Sequence, residues 1–560
     1  MSAPNLPITA AIRFESDGYD ITGARLMGRQ SAGNGFLRAA VAASRDAPLV
    51  GYGPRAKSGE AFSQLVRSID RSAETRWITS DQLDAFNAVG VCYRPDPVIG
   101  PEARLRLRVG PARHCLCGVT HSMSTSVTAG SIADYLTAPL MPWDALICTT
   151  AAARSVVDAI LEEQASYLAW RFGTAVTAPA PQLPVIPLGV HCADFSFSGG
   201  DRARARQALG LADNEVVALY AGRLAFADKA HPFAMYVALQ AAAERTQKPI
   251  VLIMAGRFLN QTAEQAYRDG LKQFCPGVRG VIVDGAQFDA YRECWAAADL
   301  FVSASDSIQE TFGLTPVEAM AAGLPCVISD WNGYRDTVRD GIDGFRVRTW
   351  APAPPLGEPL ARRYEADVIG AGRFSWGVTA AVSLDLSDLI DRLSALVSNR
   401  PLRTQMGEAA RVRAQASFDW TYIFAQYQRL WAELNAHRMS VDQRPDHLAY
   451  AMAAPSVAAG HLDPFQMFGA YPSAQIGPGT WVSLRAGASI SRYGELVEHP
   501  LFPEFNFPAP LVEALFTFLE ANPASIETAA AKTGWAPGIV VHLTAALAKM
   551  GLVHLSAEAP

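Results

Sequence analysis

The chain has 560 residues, 50% of them hydrophobic and 18% charged, with a formal net charge of −6. That balance argues against a general nucleic-acid binder, which needs many cations facing phosphates, and at about 150 residues per domain the length asks for three or four domains. No stretch approaches the roughly 18 apolar residues of a membrane span, and MSAPNLPITAAIRFESDGYD lacks the basic-then-apolar order of a signal peptide.

The cysteines are scattered, with no Cys-x-x-Cys pair, and several sit in strand-like runs such as ALIC and PCVIS. They read as buried free thiols in a reducing cytosol, so a cytoplasmic location is expected, with peripheral membrane association left open.

Taken in order, the elements begin with a strand, ITAAIRF (8–14), a Gly-rich loop, GRQSAGNGF (28–36), and the helix-like LRAAVAAS. CLCGVTH (115–121) reads as a strand ending at His121, and WDALICTT (143–150) as another, followed by a helix, AAARSVVDAILEEQASYLAW. LPVIPLGV (183–190) closes this half. After the polar link SFSGGDRARARQALG the alternation restarts: strand VVALYAGRL, helix HPFAMYVALQAAAER, strand PIVLIMAG, helix QTAEQAYRDGLKQF, then GVIVDG, DAYRECWAAA and DLFVSAS. Strand and helix taking turns in this way imply a parallel sheet covered on both faces.

The α/β reading therefore places one doubly wound domain over residues 1–205 and a second over 206–436. A Pro- and Gly-rich insertion without clear period, read as a loop, interrupts the second at 351–383. Residues 437–500 read as an irregular linker. Residues 501–560, with three helices and a short strand, read as a small, mostly α, winged-helix-like domain.

Two segments carry candidate chemistry. In GRLAFADKAHP (222–232), Arg223 follows a strand and Lys229 stands just before a helix. Ligands of open α/β sheets bind beyond the carboxyl ends of the strands, and two cations there suit a diphosphate. Taken alone, such a pair more often means solvated charge near a helix start. In ETFGLTPVEAMAAGLPCVISD (310–330), Gly313 permits close backbone approach. The amides of Gly313, Leu314 and Thr315 lead into a helix N-terminus, where unpaired N–H groups and the dipole favour anions. Glu310, just before, makes sense as an acceptor for ligand hydroxyls. Thr315-Pro316-Val317-Glu318 spells a capping box, with Thr315 at the cap and Glu318 third in the helix, so Glu318 has a structural reading as well as a functional one.

Together these segments resemble the family-4 retaining glycosyltransferases of the GT-B fold, whose signature is Glu-x7-Glu, here Glu310 to Glu318, followed by EAMAAGLPCVISD and DGIDGFRV. The resemblance extends to Arg223 and Lys229, to VIPLGVHCADF (185–195) and to His121 after a strand. It covers residues 110–435 well and the first hundred loosely. It implies a GT-B-like pair of Rossmann-like domains facing a cleft, with the acceptor on the 1–205 side and the nucleotide-sugar donor on the 206–436 side. It implies that Arg223 and Lys229 neutralise the donor diphosphate. The backbone around Phe312, Gly313 and Leu314, with Thr315 beside it, would bind phosphate and sugar oxygens. Glu310 would accept from donor-sugar hydroxyls, Glu318 would hold the ribose, and His121 would approach the sugar near the reacting centre. The loop around Gly33 and Gly35 would border the cleft.

The implied reaction is sugar transfer from a nucleotide-diphosphate sugar, with retention, to a glycan, lipid-linked or small-molecule acceptor. It needs no cofactor beyond the donor and no metal, and the chain has no Asp-x-Asp motif. The rival readings are another GT-B sugar-nucleotide enzyme, of epimerase or phosphorylase type, and a DNA-binding regulator acting through 501–560. Charge opposes the second: Lys532 and Lys549 stand against Glu504, Glu513, Glu520, Glu527 and Glu558. A dinucleotide-dependent oxidoreductase lacks its third glycine in SAGNGFLRA.

Overall fold

Short apolar runs separated by helical stretches build two parallel sheets in the computed structural model, which describes residues 10–20, 28–44, 47–226 and 228–559. The first sheet joins β1 (Ala10–Arg13), β2 (Leu49–Gly53), β3 (Thr75–Thr79), β4 (Val91–Tyr93), β5 (Cys115–Val119) and β6 (Ala145–Ile147) in the order β3-β2-β1-β4-β5-β6. The second joins β7 (Val216–Ala221), β8 (Ile250–Gly256), β9 (Arg279–Asp284), β10 (Leu300–Ser303), β11 (Cys326–Ser329) and β12 (Gly344–Val347) in the order β12-β11-β10-β7-β8-β9. β7 and β8 are buried along their whole length, as strands covered on both faces must be, so they read as unbroken apolar runs rather than alternating ones. The expected pair of doubly wound α/β domains is present.

Four expectations change. The stretch expected as a Gly-rich loop is helical, because Gly28–Ala43 forms one helix of 16 residues. A Cβ on Gly33 would lie 2.0 Å from the Gly18 carbonyl oxygen, and one on Gly35 would lie 2.4 Å from the Trp420 indole nitrogen. These glycines let a helix approach a backbone and a large ring, a use that resembles loop punctuation when only the sequence is read. Gly33→Ala should lower the urea unfolding midpoint, by about 1–3 kcal/mol of overpacking. An unchanged midpoint would show that the Gly18 turn yields freely.

The helix Trp420–Met439, assigned by sequence to the second domain, packs into the first. Trp420, Phe424, Tyr427 and Trp431 share one core with Phe36 and Tyr93, and the Phe36 and Tyr93 rings stack at 4.7 Å. The insertion at 351–383 holds two helices, Glu358–Glu365 and Ala371–Thr379. Its base is closed by β13 (Thr349–Trp350) pairing antiparallel with β14 (Ser383–Leu384).

A second compact unit spans Ala459–Pro560. Helices Ala509–Ala521, Ile526–Thr533 and Pro537–Lys549 cover a sheet of β15 (Trp481–Leu484), β16 (Ala524–Ser525) and β17 (Val553–Ser556), in the order β16-β15-β17. The stretch expected as linker thus supplies the central strand, and the buried Val482 and Tyr493 join this core. One four-residue strand among Pro and Gly is too short for alternation to mark it. All eight cysteines are free and buried. Among the described residues no helix is long and apolar enough to cross a membrane.

Candidate active site

The site lies where β7, β10 and β11 end. β7 runs into Gly222 and Arg223, β10 into residues 304–310, and β11 into residues 330–334. Lys229 pairs with Glu310, and the two side chains are only 16% and 10% exposed. Ser305 Oγ donates to the Lys229 carbonyl at 2.8 Å, tying the loop after β10 to the loop after β7. The loop after β11 closes the third side: Trp331 Nε1 donates to the Ser307 carbonyl at 3.1 Å, and the Asn332 amide donates to the Glu310 carbonyl. Arg223, 37% exposed, stands 3.9 Å from Asp228.

The helix Leu314–Ala321 begins beside this pair. Its cap is Gly313, at φ +94°, and no side chain caps it. The expected Thr315–Glu318 capping box does not form, because the helix starts earlier and puts Glu318 at its fifth position, out of reach of the cap. One Glu318 carboxylate oxygen is instead buried without a hydrogen-bond partner. Burial pushes the carboxyl up to about 7, and Lys229 pulls against that rise. The first-turn amides stay open to an anion. A Cβ on Gly313 would lie 2.3 Å from the Tyr334 ring. Gly313→Ala therefore combines an unfavourable φ, about 1–2 kcal/mol, with that clash. Its melting temperature should fall, and a melt matching wild type would show that the backbone shift is free. Phe312 is a core side chain, 2% exposed, so only its backbone is available to a ligand.

His121 follows β5 and is half-buried. Burial lowers it to about 4, Arg29 adds to the shift, and Asp96 and the Pro95 carbonyl oppose it, so the ring is neutral at physiological pH. A chain of threonines links it to the second domain. Thr149 N donates to Thr120 Oγ1 at 3.0 Å, and Thr150 Oγ1 donates to the Thr311 carbonyl at 2.9 Å. His121 and Glu310 stand one residue beyond the two ends of that chain. The insertion also reaches both domains. Tyr364, stacked on Phe374 at 4.6 Å, accepts from Ser126 N at 3.1 Å, and Trp376 packs on Phe226 at 5.9 Å.

The structure thus joins Lys229, Glu310, Glu318 and the Gly313 helix start, with Arg223 on the same loop as Lys229, and links His121 to them through threonines. Gly33 and Gly35 are given over to packing. Sequence reading missed Asn332, Thr150, Arg29 and Asp306. Asn332 had a visible signal, the Asn-Gly pair two residues beyond strand PCVIS. Asp306 is 5% exposed and raised to about 7 by burial, with one oxygen unpartnered. Among the described residues no group of three or more His, Cys, Asp or Glu side chains is placed to hold a metal ion.

Residues 215–354, which contain Arg223, Lys229, Glu310 and Glu318, match the family model described as Glycosyl transferases group 1. A D-inositol 3-phosphate glycosyltransferase 2 of Catenulispora acidiphila is 33% identical over 220 residues, 36% of this chain and 49% of that protein. A D-inositol 3-phosphate glycosyltransferase of Geodermatophilus obscurus is 34% identical over 216 residues, 34% of this chain and 44% of that one. The chain spans about half the length of these curated relatives. Among solved structures, Anabaena HepE in complex with UDP aligns at 15% identity with a TM-score of 0.49, over 76% of this chain and 99% of that chain.

Proposed function

We propose that this chain is a retaining, metal-independent glycosyltransferase that moves a sugar from a nucleotide-diphosphate sugar to an acceptor in the cytoplasm. One observation carries the reading: at the carboxyl ends of β7 and β10, a largely buried Lys229–Glu310 pair lies beside an uncapped helix start and a Glu318 carboxylate with one buried, unpaired oxygen. A diphosphate answers the cation and the free amides, and ribose hydroxyls answer Glu318. The glycosyltransferase match over 215–354 covers the same residues.

In this reading the hard step is expulsion of the diphosphate as positive charge develops on the sugar. Lys229, Arg223 and the amides of Gly313 and Leu314 stabilise the charge that grows on the leaving oxygen. When the diphosphate takes Lys229, Glu310 is released to accept from donor-sugar hydroxyls. The acceptor attacks from the face the diphosphate leaves, with the departing phosphate taking its proton, which gives retention without a protein nucleophile. His121, neutral, borders the reacting sugar.

The test is release of nucleoside diphosphate from a panel of nucleotide-sugars, with and without acceptors. D-inositol 3-phosphate, named in the relatives, is the first acceptor to assay. Release that depends on acceptor, with the anomeric configuration kept in the product, supports the reading. Inversion overturns retention, and a product made by epimerisation of the donor alone overturns transfer.

A further inference from the structure

The first domain contains a cavity of about 260 Å³ between its sheet and the helices Leu83–Val89 and Gly100–Arg106, and none of the donor-side residues lines it. We propose that it is a second small-molecule site, which binds a neutral polyhydroxylated ring or chain, a monosaccharide or sugar alcohol.

The polar inventory of the walls is incomplete. Tyr52 Oη, Ser80 Oγ, Glu102 Oε2 and His114 Nδ1 belong to lining residues, and each is buried with no hydrogen-bond partner. Tyr52 is 2% and His114 3% exposed. A buried polar atom without a partner keeps its full desolvation penalty, and native chains seldom leave several around one space. The volume far exceeds the roughly 10–15 Å³ that a single water needs and approaches the ~300 Å³ at which ligand pockets begin.

Charge selects a neutral occupant. The two cations of the wall, Arg13 and Arg94, are already answered. Arg94 Nε donates to Asp96 at 2.6 Å and its Nη1 pairs with Glu102, while Arg13 lies 3.2 Å from Glu15 and 3.8 Å from Glu102. Among the described residues that line the cavity, a phosphate would find no uncommitted cation. Burial and the neighbouring Arg106 and Arg438 hold His114 down at about 3, so its ring is neutral, with one donor and one acceptor nitrogen. The tyrosine and serine hydroxyls can each donate or accept a hydrogen bond, whereas the Glu102 carboxylate oxygen accepts. Alcohol groups satisfy all four.

The remaining wall is apolar. Phe86 crosses the Tyr52 ring at 5.2 Å and meets the His114 ring at 5.4 Å, with Leu83, Leu105 and Leu116 among the other apolar lining residues. A sugar or sugar alcohol presents a C–H face to such a surface and its hydroxyls to the polar side.

The test is binding of D-glucose, D-mannose and xylitol to the full-length chain by saturation-transfer NMR and calorimetry. Tyr52→Phe removes an unpartnered hydroxyl, so its melting temperature should match or exceed that of wild type while affinity falls at least fivefold. Leu105→Trp, at a position 36% exposed and therefore tolerant of a larger side chain, should fill the cavity and abolish binding. Binding by none of the three, binding that both variants leave unchanged, or a crystal structure with only ordered water in the cavity at saturating probe overturns the proposal. This site and the donor reading fail separately, because nucleoside diphosphate release does not enter the measurement.

Discussion

Lys229→Ala should lower nucleoside diphosphate release from the preferred donor by about 10²–10³-fold, the usual effect of removing one preorganised contact to a developing negative charge. The loss should fall mainly on kcat, because the charge on the leaving oxygen grows in the transition state and is smaller in the bound donor. Lys229 also neutralises Glu310 in the ligand-free chain. Removing one partner of a fully buried pair costs about 3–5 kcal/mol. Both side chains keep some exposure, 16% and 10%, so the fall in stability should be smaller than that, and Lys229→Ala should still melt cooperatively. The double variant Lys229→Ala, Glu310→Gln should recover the stability and none of the activity. Wild-type-like transfer by Lys229→Ala would remove the diphosphate assignment, and recovery of activity in the double variant would mean that Glu310 merely blocks the site.

The parts of this site that the sequence disclosed are those set by local order. Gly313, Glu310 and Glu318 lie within one turn-and-helix segment, and Lys229 sits between a strand and a helix, so strand-end logic finds them all. What escaped required a partner distant in sequence. Gly35 reads as a loop residue until Trp420, 385 positions later, is seen against it. The aromatic face of the helix Trp420–Met439 fits either domain by pattern, and only the core around Phe36 and Tyr93 decides between them. By sequence Thr150 only ends the strand WDALICTT; in the fold it caps the helix that follows, accepting from Ala153 N at 3.0 Å. Its donation to Thr311, across 161 positions, was invisible. The capping box failed for a subtler reason. Thr-Pro-x-Glu fits the pattern of a helix start, but Gly313, free to take φ +94°, started the helix earlier.

That failure fixes the second large effect. Had Glu318 been a cap, its loss would cost stability. Since it is a carboxylate with one buried, unpaired oxygen, Glu318→Gln should leave the melting temperature unchanged or raise it while weakening donor binding. The pH dependence gives the sign. The folded carboxyl titrates near 7, above the 4.5 of an unperturbed glutamate. Between those values the folded chain holds a proton that the unfolded chain has released, so wild-type stability falls as pH rises through this window and levels off above it. Wild type and Glu318→Gln should therefore melt together near pH 4.5 and diverge by pH 8, with the variant the more stable. Hydrogen bonds to a charged acceptor contribute about 1.5–3 kcal/mol each, so donor affinity at pH 8 should drop roughly 10- to 100-fold. Calorimetric melts at the two pH values and donor titration at the higher one make the measurement. A variant that melts lower at pH 8 would return Glu318 to a structural role, and one that binds donor like wild type would remove it from the ribose.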